Sequence, residues 1–162
     1  MIRNNLETAY IKTPLGICKI SGNDKGIAEV SILEEKVQVS QTIPKTLKAC
    51  AIQLDEYFDG DRKEFQLKFN LIGTSFQKKV WQSLLKISFG STTTYLKQAR
   101  YLGDEKAIRA VASANGKNPI WVILPCHRVV GSDGSLTGYA GGIWRKKWLL
   151  EHEQGFEQQR LF

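Results

Sequence analysis

The sequence predicts an α+β chain in two parts. Three observations carry that reading: alternating apolar residues in the first seventy positions, three- and four-residue apolar spacing beyond them, and a break at Asn70–Thr74. Domains are therefore expected over residues 1–70 and 71–162. In the first, Tyr10 to Thr13 and Ile17 to Ser21 flank the punctuation Pro14-Leu15-Gly16, as in a hairpin. Gly22 to Gly26 turns into Ile27 to Leu33, where Ala28, Val30 and Ile32 alternate with Glu29 and Ser31. Thr46 to Phe58 is a predicted helix, with Leu47, Cys50, Ala51, Leu54 and Phe58 on one stripe and Gly60 placed to cap its end. Phe65, Leu67 and Phe69 alternate with Gln66 and Lys68 and predict one more strand. Antiparallel strands plus one helix bury one face of a sheet.

Helical signals fill the second part. Thr74 and Gln77 fit a capping box, and Phe76, Val80, Leu84 and Ile87 follow on one face. Thr94 is placed to cap Tyr95 to Tyr101 before Gly103, and Asp104 to cap Glu105 to Asn115 before Gly116. Two short helices around a glycine turn predict helix-turn-helix geometry, a pattern shared with ordinary helical hairpins. The second helix has two faces. Ile108, Val111, Ala112 and Asn115 form one stripe; Lys106, Arg109, Ala110 and Ser113 form the other. Small side chains allow close approach to a groove wall and cations meet phosphate, although the same stripe would serve as a plain solvated face. Ile143 to His152 predicts a last helix.

Composition limits the class. Hydrophobic residues make up 42% and charged residues 24%, the balance of a folding soluble domain rather than a disordered chain. The formal net charge of +7 favours a polyanionic partner, nucleic acid or an acidic surface. No apolar run approaches the ~20 residues of a membrane span, and Met1 to Thr8 has no signal-peptide pattern. Cys18, Cys50 and Cys126 are odd in number and far apart, which predicts a reducing, cytoplasmic location. With only His127 and His152 available, no compact Cys/His metal pattern can be written.

The chemistry centres on Asn118-Pro119-Ile120-Trp121-Val122-Ile123-Leu124-Pro125-Cys126-His127-Arg128-Val129-Val130. A cysteine between an apolar run and a His-Arg pair is either a small buried hydrophobe or a nucleophile, whose anion neighbouring His or Arg stabilises. The segment Pro125-Cys126-His127-Arg128-Val129-Val130 resembles the active-site motif of the O6-alkylguanine-DNA alkyltransferases, or methylated-DNA–protein-cysteine methyltransferases. The resemblance extends through Asn118-Pro119, Gly138-Tyr139-Ala140-Gly141-Gly142 and Trp148-Leu149-Leu150-Glu151-His152-Glu153. It is weaker in the first seventy residues, where it rests on element order and Tyr57-Phe58-Asp59-Gly60.

The resemblance implies a ribonuclease-H-like N-terminal domain and a C-terminal helical domain that binds the minor groove of damaged duplex through its helix-turn-helix. Cys126 would accept an alkyl group from O6-alkylguanine, or from O4-alkylthymine, in a single irreversible turnover. His127 would act as base through a water, Glu153 would orient it, Tyr95 would hydrogen-bond the departing guanine, and Asn118 would brace the turns. Arg109 would fill the gap left by the flipped nucleotide, with Lys106, Ala110, Ser113 and Thr94 also along the DNA. Tyr139, Ala140, Trp121 and Val129 would line the pocket, Ala140 offering its backbone amide where many relatives carry serine. Trp121 stands where relatives carry a small residue or proline, so a narrowed pocket is expected. The damaged DNA supplies the alkyl group, so no cofactor is expected, and the zinc site of some relatives is not carried over for want of histidines. A monomer is expected. The rival functions are a lesion binder, which would lack the cysteine, and a Cys-His hydrolase, which would turn over.

Overall fold

Alternation in the first part becomes a three-stranded antiparallel sheet: β1 (Glu7–Thr13), β2 (Gly16–Asn23) and β3 (Gly26–Ile32), in the order β1-β2-β3. The computed structural model describes residues 5–160, with side chains described to residue 155; the outer ends of the two predicted domains, 1–4 and 161–162, lie outside the described residues. Register runs from Glu7 opposite Gly22 to Thr13 opposite Gly16, and from Cys18 opposite Ile32 to Asn23 opposite Gly26. The Thr13 hydroxyl ties the first turn, donating to Gly16 O at 2.7 Å and accepting from Leu15 N at 3.1 Å. A 3₁₀ turn at Lys45–Leu47 leads into α1 (Lys48–Phe58), and Gly60 ends it at φ 85°. Ala9, Ile20 and Val30 of the sheet and Leu47, Cys50, Leu54 and Tyr57 beside it are fully buried.

The strand expected at Phe65, Leu67 and Phe69 does not form. Phe69 makes one isolated parallel bridge to Ile27, through Ile27 N to Lys68 O and Asn70 N to Ile27 O. The preceding polar groups are taken by a side chain instead. Gln53 accepts from Gln66 N at 2.9 Å and donates to Gln66 O at 3.2 Å, which leaves no ladder to extend. Gly26 permits the approach: a Cβ there would lie 2.7 Å from Lys68 O.

The boundary between two compact units falls between Ile72 and Gly73. In the second unit Thr74 and Gln77 form the full capping box of α2 (Ser75–Ser83), which continues as a 3₁₀ turn at Leu84–Lys86. Thr94 caps α3 (Tyr95–Tyr101), accepting from Lys97 N at 3.1 Å. Asp104 accepts from Lys106 N, opening a 3₁₀ turn at Glu105–Ala107 that precedes α4 (Ile108–Gly116). Gly103, at φ 95°, makes the turn between the two helices, whereas Gly116 is the last residue of α4 rather than a glycine beyond it. The two-residue strands β4 (Thr93–Thr94) and β5 (Val129–Val130) pair in parallel, and α5 (Ile143–Arg160) runs beyond the His152 expected as its end.

A polar lock fixes the helix-turn-helix. Gln98 of α3 donates to Asn115 Oδ1 at 3.2 Å and to Ser83 Oγ at 3.1 Å, and accepts from Asn115 Nδ2 at 2.7 Å, all buried. Trp81 Nε1 donates to Ala114 O at 2.8 Å and ties α2 to α4. Satisfied buried polar groups of this kind specify one arrangement of the helices, where apolar contacts alone would allow sliding.

Candidate functional site

Cys126 is delivered by two tight turns in succession. Ile123 N donates to Trp121 O at 2.8 Å across Val122, whose φ of 72° is a rare value for a β-branched residue. Cys126 N then donates to Leu124 O at 2.8 Å across Pro125, at φ −83° and ψ 64°, an inverse γ-turn that proline's fixed φ favours. The strain at Val122 persists because its surroundings over-determine it. Asn118 is the clamp: its Nδ2 donates to Leu124 O at 2.7 Å and its Oδ1 accepts from Ile120 N at 2.9 Å. The bracing expected of Asn118 thus has a definite geometry.

A 3₁₀ turn, Cys126–Arg128, sets the three motif side chains, all buried. His127 Nε2 lies 2.7 Å from Glu153 Oε2, which reaches it from α5. Arg128 grips the same carboxylate with both arms, Nε to Oε1 at 2.8 Å and Nη2 to Oε2 at 3.0 Å, while Nη1 donates to Ile87 O at 2.6 Å. The other ring nitrogen, His127 Nδ1, is buried and has no hydrogen-bond partner among the described residues. The second histidine, His152, stacks on Trp148 instead.

Burial dominates the thiol. It pushes Cys126 up to about 11, against smaller lowering by the Asn118 amide and the Lys146 cation. Stabilisation of the anion by neighbours is therefore a minor effect, and the resting group is the thiol. Burial also pushes Cys50 up to about 12 and Cys18 higher still, as expected of core cysteines. Burial lowers His127; Glu153 opposes this, and Arg128 and Lys146 add to it. For Glu153 burial acts upward, but His127 and Arg128 together outweigh it and hold the carboxyl well below its ordinary range. Neutral imidazole on a carboxylate anion is the state these forces favour, since Arg128 already supplies the counter-charge.

Tyr95 sits at the first turn of α3, and its hydroxyl donates to Thr137 O at 3.1 Å. Lys146, though 1% exposed, donates to Thr137 O at 2.8 Å and lies 3.4 Å from the Tyr95 oxygen and 5.7 Å from its ring centre. Burial lowers Lys146, and the nearby sulfur of Cys126 draws it upward. Tyr139 is buried with its ring 5.8 Å from that of Trp121. Gly141 has to be glycine for this packing, since a Cβ there would lie 2.7 Å from Tyr139 and 3.0 Å from Trp121. Ala140 is exposed beside them, whereas Val129 is fully buried and paired with Thr93.

On α4 the outer stripe keeps the composition read from sequence: Lys106, Arg109, Ala110 and Ser113 are all exposed, with Val111 and Asn115 turned inward. Thr94 belongs to this surface only in part, because its hydroxyl oxygen is engaged as the α3 cap. Sequence reasoning placed Arg128 as a stabiliser of the Cys126 anion and missed its grip on Glu153, and it missed Lys146 and Val122 altogether. A cation inside a buried motif was a signal for the first; the other two had none, because buried lysine and positive φ arise from packing.

Fold and site define a class: an α+β protein that joins a helix-turn-helix to a buried cysteine followed in sequence by a histidine paired with a buried glutamate. The sequence profile described as the ribonuclease-like domain of 6-O-methylguanine DNA methyltransferase matches residues 6–71, and that of its DNA binding domain matches residues 75–155. The methylated-DNA–protein-cysteine methyltransferase of Methanosarcina barkeri is 43% identical over 151 residues, covering 89% of this chain and 94% of its own. Its namesake from Mycobacterium tuberculosis is 42% identical over 148 residues, covering 89% and 90%. Among solved structures, Mycobacterium tuberculosis OGT in complex with DNA superposes with a TM-score of 0.84 at 41% identity, covering 92% of this chain and 93% of that one. An O6-methylguanine DNA methyltransferase from Methanococcus jannaschii gives 0.67 at 30%, covering 90% and 92%. The chain belongs to the 6-O-methylguanine DNA methyltransferase family.

Proposed function

We propose that this protein repairs DNA by direct reversal, transferring an alkyl group from O6 of guanine to Cys126. The observation that carries the reading is a buried thiol in a helix-turn-helix unit, followed in sequence by an imidazole hydrogen-bonded to Glu153. Because Cys126 rests as a thiol, its proton has to leave as the bond forms. His127 Nδ1 takes that proton through a water, and Glu153 stabilises the imidazolium that results. The sulfur attacks the alkyl carbon in line, the carbon–O6 bond breaks, and guanine leaves with the electron pair. The Tyr95 hydroxyl, placed beside the Lys146 cation, donates to the ring as charge accumulates there. The product is a thioether, which none of these steps cleaves, so each molecule reacts once.

A buried thiol cannot reach a base inside intact duplex, so the damaged nucleotide is rotated out and Arg109 occupies the space it leaves. The exposed stripe of α4 meets the minor groove, with Lys106 on phosphate and the small side chains of Ala110 and Ser113 allowing close approach. Tyr139 and Trp121 wall the pocket, and the backbone at Ala140 faces the leaving oxygen. Incubation with O6-methylguanine duplex followed by intact-mass analysis tests the reading. It requires a gain of one methyl group per chain, mapped to Cys126 and absent in Cys126→Ala. Multiple turnovers, or transfer that survives loss of the thiol, would overturn it.

A further inference from the structure

We propose that Arg128 is the positioning residue of this site: its two-armed grip on Glu153 aims Oε2 at His127 Nε2, so that Nδ1 is the nitrogen kept free as base. This rests on the alkyl-transfer reading and deepens it. The Arg128 fork meets both carboxylate oxygens at 2.8 and 3.0 Å, so the plane of the carboxylate is fixed and not merely its place. The third donor, on Ile87 O at 2.6 Å, anchors the guanidinium to backbone, and the Phe89 ring lies 5.8 Å from it. Oε2 is shared, receiving Arg128 Nη2 and facing His127 Nε2 at 2.7 Å.

An ionised carboxylate accepts only, so a contact at this distance requires the proton on Nε2. A buried anion also needs a counter-charge. With Arg128 present it has one, and the imidazole stays neutral. Without Arg128, the imidazole held 2.7 Å from Glu153 would be drawn toward its charged form, and an imidazolium cannot take the Cys126 proton. Among the described residues, the charged groups acting on His127 are Glu153 and Lys146 from α5 and Arg128 from its own turn. Lys146 acts in the same direction as Arg128, but its amine is bonded to Thr137 O at 2.8 Å.

The test uses the imidazole nitrogens directly, since the chain has two histidines. Nitrogen-15 NMR of the wild-type protein should show His127 neutral at pH 7 and protonated at Nε2; the Nδ1–H tautomer or an imidazolium overturns the proposal. Arg128→Met should move the His127 titration and the acid limb of the methyl-transfer rate together to higher pH, by about one unit or more. Arg128→Lys keeps the charge but not the fork, so its acid limb should stay near wild type while the maximal rate falls several-fold. Rates are corrected for active fraction by methyl stoichiometry. A lower active fraction with an unmoved limb in Arg128→Met, or a full rate in Arg128→Lys, would mean that Arg128 only supports the fold. If Arg128→Met does not fold, the wild-type tautomer and Arg128→Lys still decide the matter. Failure of the alkyl-transfer reading would show separately, as absence of methyl on Cys126 in the wild type.

Discussion

Replacing Asn118 by alanine removes both halves of the clamp that closes the turn before Cys126. Ile120 N loses its acceptor at 2.9 Å and Leu124 O its donor at 2.7 Å, and both bonds are buried. Each orphaned group costs about 1–3 kcal/mol, so the variant should lose about 2–6 kcal/mol. For a chain of this size that is a fall in melting temperature of roughly 5–20 °C. Backbone strain adds a functional consequence. Val122 holds φ 72° only while the loop is closed on both sides, and release lets it relax and carries Cys126 away from its position. A displacement of ~1 Å at the nucleophile can cost on the order of a hundredfold in rate. The sulfur also loses the amide that lowers its pKa, which makes the thiol harder to ionise. Urea denaturation gives the stability, and single-turnover transfer from O6-methylguanine duplex, normalised to active fraction, gives the rate. Unfolding within about 0.5 kcal/mol of wild type together with a rate within about twofold would refute the clamp.

Trp121→Ala should widen the pocket beside Tyr139 and raise the benzyl-to-methyl rate ratio about tenfold, the scale of discrimination that apolar pocket contacts reach; an unchanged ratio in a competition assay removes Trp121 from the wall. Arg109→Ala leaves an exposed site, so stability should change by less than about 0.5 kcal/mol, while transfer from duplex falls and transfer from the free methylated base does not. Equal losses on both substrates would exclude the role in base flipping. Acidification should destabilise the protein in two stages. His127 has a lower pKa folded than its ordinary 6.5, so the unfolded chain binds the extra proton and stability declines as pH falls below about 6.5. Glu153 is held below its ordinary 4.5, so its contribution is present above that value and is lost as pH falls further. Urea midpoints across pH 2–8 check this, and His127→Gln should flatten the upper stage; an identical profile in that variant would contradict it.

Local signals were legible because local hydrogen bonds and repeat lengths generate them. The Thr74–Gln77 box and the Thr94 cap were written in neighbouring residues, and both form. The strand at Phe65–Phe69 was misread for a related reason. Alternation shows which side chains turn inward, and burial there does alternate, but whether a ladder forms depends on partners elsewhere, and the Gln53 side chain took the groups a ladder needed.

The amino-acid order alone determined the Pro125-Cys126-His127-Arg128 motif and the composition of the outer stripe of α4, because each lies in one short segment; the roles proposed for these residues came from the family resemblance. Packing decided the rest. It brought Glu153 across 26 residues to His127, turned Arg128 onto the same carboxylate, buried Lys146 beside Tyr95 and held Val122 at positive φ. It also decided the resting state of the sulfur: removal from water opposes the anion more strongly than the Asn118 amide and the Lys146 cation favour it, and only the folded chain sets how much water remains.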